Sequence, residues 1–101
     1  MVIVGGWFQV EPGERDAFIA GQLESMRASR AEAGCIEYVV APDPLDPGRA
    51  ILFERWEDQA ALDAHLAGMR SSAPADPDTP RVAPKGLSIV VYDVAGERPL
   101  A

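Results

Sequence analysis

The chain has a single cysteine, Cys35, and a single histidine, His65, in 101 residues. A lone cysteine excludes an intrachain disulfide, and one Cys with one His cannot assemble a Cys/His zinc cluster. Basic residues are also few. Nine Lys and Arg stand against sixteen Asp and Glu, a formal net charge of −7. That deficit argues against a nucleic-acid module, which needs a basic face to displace counterions, and against docking on anionic lipid. No apolar run approaches the roughly 18 residues that a membrane span requires. No basic stretch leads into a long apolar run near the start, so no signal peptide is expected. Together with the lack of cysteine pairs, this predicts a cytoplasmic protein. A phosphate-binding glycine loop is missing as well, since Gly5-Gly6 lies inside an apolar run and matches no nucleotide motif.

What is present is the composition of one globular domain, 48% hydrophobic and 25% charged. A chain of this size buries about 60–70% of its unfolded surface, enough for one core. The domain is expected to span residues 1–96, with a proline-rich loop over 71–85 and a tail at 97–101.

Residues 2–10, VIVGGWFQV, are apolar or small on both alternating faces, as in a strand covered on both sides. Glu11-Pro12-Gly13 ends it. From Glu14 to about Glu32 the period becomes helical, with Phe18, Ile19, Gln22, Met26 and Arg30 in step and acids before bases along the dipole. Gly34 supplies the stop. CIEYVVA (35–41) reads as a second strand with Ile36, Tyr38 and Val40 on one face. RAILFERWE (49–57) reads as a third, with Leu52, Glu54 and Trp56 opposite Ile51, Phe53 and Arg55. The short proline-rich connector between them predicts a hairpin. Asp58 is a candidate N-cap for a helix carrying Leu62, His65, Leu66 and Met69 to about Arg70. LSIVVYDV (87–94) is the fourth strand.

The order β-α-β-β-α-β predicts an α+β, ferredoxin-like subunit, a four-stranded antiparallel sheet with its helices on one face. The other face would then expose Ile3, Trp7, Ile51 and Phe53, more apolar surface than soluble monomers usually show. A second copy packed sheet against sheet is the simplest remedy, so a homodimer through the sheet face is expected.

Four segments, FQVEPGERDAF, ASRAEAGCIEY, PDPLDPGRAILFERWED and QAALDAHL, resemble in order and spacing the antibiotic biosynthesis monooxygenase family of the dimeric α+β barrel superfamily. The string E-x-W-x-D followed by A-A-L-D-A-H-L is the most specific part. The resemblance implies two ferredoxin-like subunits closing a barrel, and a small pocket in each subunit between sheet and helices. It also implies oxygenation of a small hydroxylated aromatic (a quinol, phenol or anthrone) with dioxygen and no cofactor. A base would remove a proton, and the resulting anion would pass one electron to dioxygen before the radical pair recombines. Such a protein must bind a flat ring, stabilise the anion and exclude water.

Within that resemblance His65, Trp56 and Glu54 are the candidate catalytic residues. His65 is a candidate because the unperturbed imidazole of histidine suits proton transfer near neutrality, though a helix histidine can equally line a pocket or bond a neighbour. Trp56 offers a stacking plane and an indole N–H, or plain core packing. Glu54 is an acid/base group if it faces the pocket, and an ion-pair partner of Arg27 or Arg30 if it does not. Tyr38, Phe8, Leu52, Leu62 and Met69 are candidate lining residues, and Gly6 would widen the cavity. Haem-degrading members carry asparagine on the first strand where this chain has Gly6, and they differ along the second helix. The resemblance therefore points away from haem, and no cofactor or metal is expected. Anthrone oxygenases place an asparagine at the position of Leu52. A polyketide isomerase or cyclase, and a non-catalytic protein that holds a small aromatic, are the alternative functions.

Overall fold

A computed structural model describes residues 1–71 and 81–101. The greater part of the proline-rich loop expected at 71–85 lies outside the described residues. Four strands, β1 (Val2–Gln9), β2 (Cys35–Pro42), β3 (Arg49–Trp56) and β4 (Gly86–Asp93), form one antiparallel sheet in the order β2-β3-β1-β4. Three helices, α1 (Arg15–Ala20), α2 (Leu23–Arg30) and α3 (Gln59–Ser71), accompany it, and a 3-10 turn at Pro12–Glu14 precedes α1. This is the ferredoxin-like α+β arrangement that the order of elements predicts.

Two local departures from the sequence reading have physical causes. The helix expected from Glu14 to Glu32 is broken into α1 and α2. Gly21 closes α1, and the chain tightens there to a three-residue bond, Gln22 N–H to Ile19 O at 2.9 Å. Glycine at this point gives the helix little intrinsic support. In β2 a bulge between Cys35 and Glu37 shifts the register. Ile36 is thereby pushed out to 43% exposure, while Cys35 packs on the core in its place. A bulge of this kind adds one residue and turns the next side chain to the other face.

The register sorts the side chains into rows. On the helix-bearing face, Tyr38, Glu54, Val4 and Val91 align across the four strands, and Val40, Leu52, Gly6 and Ile89 form the next row. On the opposite face, Val39, Phe53, Gly5 and Val90 align. The helices make their main contacts with β2 and β3. The core accordingly gathers Val2, Val4, Val10, Phe18, Met26, Tyr38, Val40, Ala50, Leu52, Trp56 and Leu62. At β4 the helix-bearing side stays open, and Leu87, Ile89 and Val91 are exposed.

The β2–β3 turn is braced from outside. One terminal nitrogen of Arg15, at the start of α1, donates to the carbonyls of Asp43 (2.9 Å) and Asp46 (2.7 Å). Close approach requires glycine at two positions that bear on the site, Gly34 and Gly6. Gly34 sits at φ +84°, and a Cβ there would stand 2.5 Å from Ala61 Cβ of α3. Gly6 does not simply widen a cavity, because a Cβ there would lie 1.9 Å from the backbone oxygen of Ser88 on β4. Gly34→Ala is expected to cost about 1–3 kcal/mol through left-handed strain and overpacking. Gly6→Ala is expected to cost at least as much by prying β4 from β1. Urea unfolding of both variants checks this; wild-type midpoints would contradict the close contacts.

Candidate functional site

The chemistry-bearing side chains come from three segments that local sequence fixes separately. Alternation along β3 turns Leu52, Glu54 and Trp56 to the helix side, where all three are buried. Asp58 caps α3, its carboxylate accepting the Ala61 N–H at 2.8 Å. The helix then runs with Leu62 and His65, three residues apart, facing inward. The turn after α2 ends at Gly34, whose carbonyl accepts the Glu57 N–H at 2.8 Å. With no side chain at Gly34 to hold it off, that turn reaches α3 and brings Glu32 to His65.

These segments converge on the His65 imidazole, which is 4% exposed. Its ring centroid lies 4.7 Å from that of Trp56 and 5.5 Å from that of Tyr38. Nδ1 is 3.1 Å and 3.2 Å from the two carboxylate oxygens of Glu32. Nε2 lies 4.0 Å from Glu54 Oε1. That same oxygen accepts the Trp56 indole N–H at 2.9 Å. Glu54 Oε2 takes no hydrogen bond among the described residues.

Glu54 pairs with neither arginine considered from sequence. Arg27 bonds Glu24, and Arg30 donates through Nε to the Tyr38 carbonyl at 2.8 Å. Burial therefore dominates the state of Glu54 and raises its pKa above the usual carboxylate range. The Trp56 N–H and His65 oppose that shift in part, and Glu32 adds to it. Burial, reinforced by Glu54, pushes the Tyr38 phenol up to about 12, against a hydrogen bond with Ser29. Tyr38 thus stays a protonated donor at any ordinary pH. The Cys35 thiol is raised by burial, then by Glu32 and Glu54, which leaves little reactive thiolate.

The residues named from sequence divide into three groups. His65, Trp56, Glu54 and Tyr38 form one contiguous cluster, with Leu52 and Leu62 buried in the adjoining core. Phe8 is half-buried against Phe18, ring centroids 5.2 Å apart, and Gly6 lies beneath the β4 backbone. Met69, one turn beyond His65, is exposed. The interior at Trp56 and Leu62 is packed shut. Apolar surface instead lies open on the β4 side of the same sheet face, at Leu87, Ile89 and Val91, and on α3 at Leu66 and Met69. Strands are spaced about 4.8 Å apart, so Glu54 and the exposed Val91 in its row stand roughly 10 Å apart. Sequence reading missed Glu32. Its signal was an acid two residues before the stop glycine, and nothing local connects it to a histidine 33 positions later.

The cluster can hold and move a proton in a dry setting beside an apolar shelf. The chain also resembles known proteins in sequence and in fold. A 65-residue match, 36% identical, links it to an uncharacterised protein of Synechocystis, sll1783, and covers 64% of this chain but only 44% of that relative. Another 65-residue match, 26% identical, reaches the Bacillus subtilis protein YcnE, provisionally named a monooxygenase, and covers 64% and 68% of the two. Among solved structures, a Deinococcus radiodurans protein provisionally described as an antibiotic biosynthesis monooxygenase superposes with a TM-score of 0.78. It covers 100% of this chain and 99% of its own at 21% identity, a likeness of fold. The pattern of the antibiotic biosynthesis monooxygenase family matches residues 1–72, the stretch that contains β1 through α3, and the chain belongs to that family.

Proposed function

We propose that the chain is a cofactor-independent monooxygenase that oxidises a hydroxylated aromatic, of quinol, phenol or anthrone type, with dioxygen to a quinone. The observation that carries this reading is the buried imidazole of His65, packed at a tilt against Trp56 and facing a carboxylate whose pKa is raised by burial. The exposed apolar row of β4 on the same sheet face supplies a platform for a flat ring system.

The substrate lies along the shelf formed by Phe8, Leu87, Ile89 and Val91, with its hydroxyl toward Glu54. His65 is the base and is reached through Glu54, whose Oε2 is unengaged. The indole of Trp56 keeps the Glu54 carboxylate in place, and the neutral Tyr38 phenol supports the cluster. Loss of the hydroxyl proton leaves an electron-rich anion. The anion gives one electron to dioxygen, and the radical pair joins as a peroxide at a ring carbon that bears hydrogen; the proton held at His65 returns to the peroxide, and loss of water, which takes that carbon's hydrogen, gives the quinone. Exclusion of water by Leu52, Leu62 and Trp56 strengthens each electrostatic contact.

Relatives of this fold include the haem-degrader MhuD of Mycobacterium tuberculosis, solved with two haems bound. The residues here do not suit haem. His65 turns Nδ1 to Glu32 and Nε2 toward Glu54, so neither ring nitrogen is presented to an iron. Isomerisation or cyclisation of a polyketide needs the same carboxylate–imidazole pair and adds no oxygen atom, so product mass separates the two reactions.

The bare sheet face supports a homodimer, since Ile51, Val90 and Tyr92 are exposed there beside half-buried Ile3, Trp7 and Phe53. Among the described residues no helix is long and apolar enough to cross a membrane. Activity in the cytoplasm belongs to the same proposal.

Three measurements test this reading. Oxygen uptake with a panel of quinols and anthrones is expected from the wild type, reduced about 10²–10⁴-fold in His65→Ala. Uptake at the buffer rate from both proteins would refute the oxygenase. Sedimentation is expected to give twice the 10.8 kDa chain mass, and a monomer for Ile51→Glu; a monomeric wild type would refute the dimer. Because the folded pKa of Glu54 is raised, its contribution to stability is full below the usual carboxylate range and is lost as pH climbs through the raised value. Glu54→Gln should therefore lose that decline and melt at a higher temperature than wild type at neutral pH. Parallel melting curves across pH would show that Glu54 does not titrate from a buried state.

A further inference from the structure

A neutral imidazole has one N–H to donate, and two carboxylates of this site flank the ring. Glu32 places both oxygens at 3.1 and 3.2 Å from Nδ1. Glu54 Oε1 is 4.0 Å from Nε2, outside hydrogen-bond range, and already holds the Trp56 N–H. The ring packs against Trp56 and Tyr38 and is almost fully buried, so it has little room to turn over and exchange its nitrogens.

We propose that Glu32 is the positioning residue of the site: it takes the imidazole N–H at Nδ1 and thereby leaves the Nε2 lone pair turned toward Glu54 as the proton acceptor. The tautomer of a histidine is set by the hydrogen bond that its other nitrogen makes. Without Glu32, the nearest strong acceptor is the Glu54 carboxylate. The N–H would then sit on Nε2, the lone pair would face the α2–β2 turn, and the Glu54 side would have nothing to receive a proton. Glu32 also suits a second task. When Nε2 takes a proton, the ring becomes a cation, and the Glu32 carboxylate lies in hydrogen-bond contact with it. The Glu32 side chain is 37% exposed, so it can fill this role while it remains hydrated.

This inference rests on the proton-transfer reading of the site, but its test needs no turnover. The chain has one histidine, so a long-range proton–nitrogen correlation spectrum of uniformly labelled protein reports His65 alone. Recorded above the pH at which the ring protonates, the wild type is expected to show a protonated Nδ1 and an acceptor-type Nε2. Glu32→Ala should reverse the pattern to a protonated Nε2. Glu32→Gln keeps an acceptor oxygen and should retain the wild-type pattern. A wild type with Nε2 protonated, or Glu32→Ala with the wild-type spectrum, overturns the proposal. Should Glu32→Ala fail to fold, as circular dichroism would reveal, the wild-type and Glu32→Gln spectra still decide. The expected tautomers in a protein that consumes no oxygen would uphold the positioning role of Glu32 and refute the oxygenase separately.

Discussion

The packing of the His65 imidazole against the Trp56 indole, out of water, sets the terms for everything on the helix side of the sheet. Each ring carries a polar nitrogen that must be satisfied once buried. Trp56 has one N–H and spends it on Glu54. His65 then needs a partner on its outer nitrogen, and the segment that follows α2 supplies it. That segment is the Glu32–Gly34 turn, which presses against α3 because glycine removes the side chain that would hold it away. The proton-bearing groups are therefore placed by a strand, a helix and a turn, each fixed by its own local rule. The site is as precise as the packing of these three pieces.

The sheet divides into a covered half and an open half. β2 and β3 lie beneath the helices and carry the groups that need a dry setting. β1 adds buried Val2 and Val4 to that covered part, and β4 extends the same surface outward as Leu87, Ile89 and Val91, apolar side chains in contact with solvent. The buried proton-bearing groups and the exposed apolar surface are thereby kept on separate parts of one sheet face. A family whose members share the fold and differ in what they bind is consistent with such a division.

Much of this was legible in the sequence because it obeys short-range rules. Period-two alternation along RAILFERWE placed Glu54 and Trp56 on one side, and helical spacing from the Asp58 cap placed His65 with Leu62. The β2–β3 hairpin followed from the short, turn-rich connector between them. Other features depend on geometry that no window contains. The bulge that turns Ile36 out and Cys35 in is a single inserted residue, invisible to a pattern of alternation. The break at Gly21 is a choice between one bent helix and two short ones. Glu32 is tied to His65 only through the left-handed turn at Gly34, and the exposure of Leu87, Ile89 and Val91 follows from where the helices stop.

The brace from Arg15 to the Asp43 and Asp46 carbonyls spans 28 and 31 positions of chain, a separation at which small proteins often place a covalent bridge. With Cys35 alone, this chain cannot form one. A guanidinium hydrogen bond closes the loop only after folding, so it leaves the denatured ensemble unrestricted, whereas a covalent link would narrow it. The fastening is indifferent to oxidants and reductants. It has to be made anew each time the molecule folds.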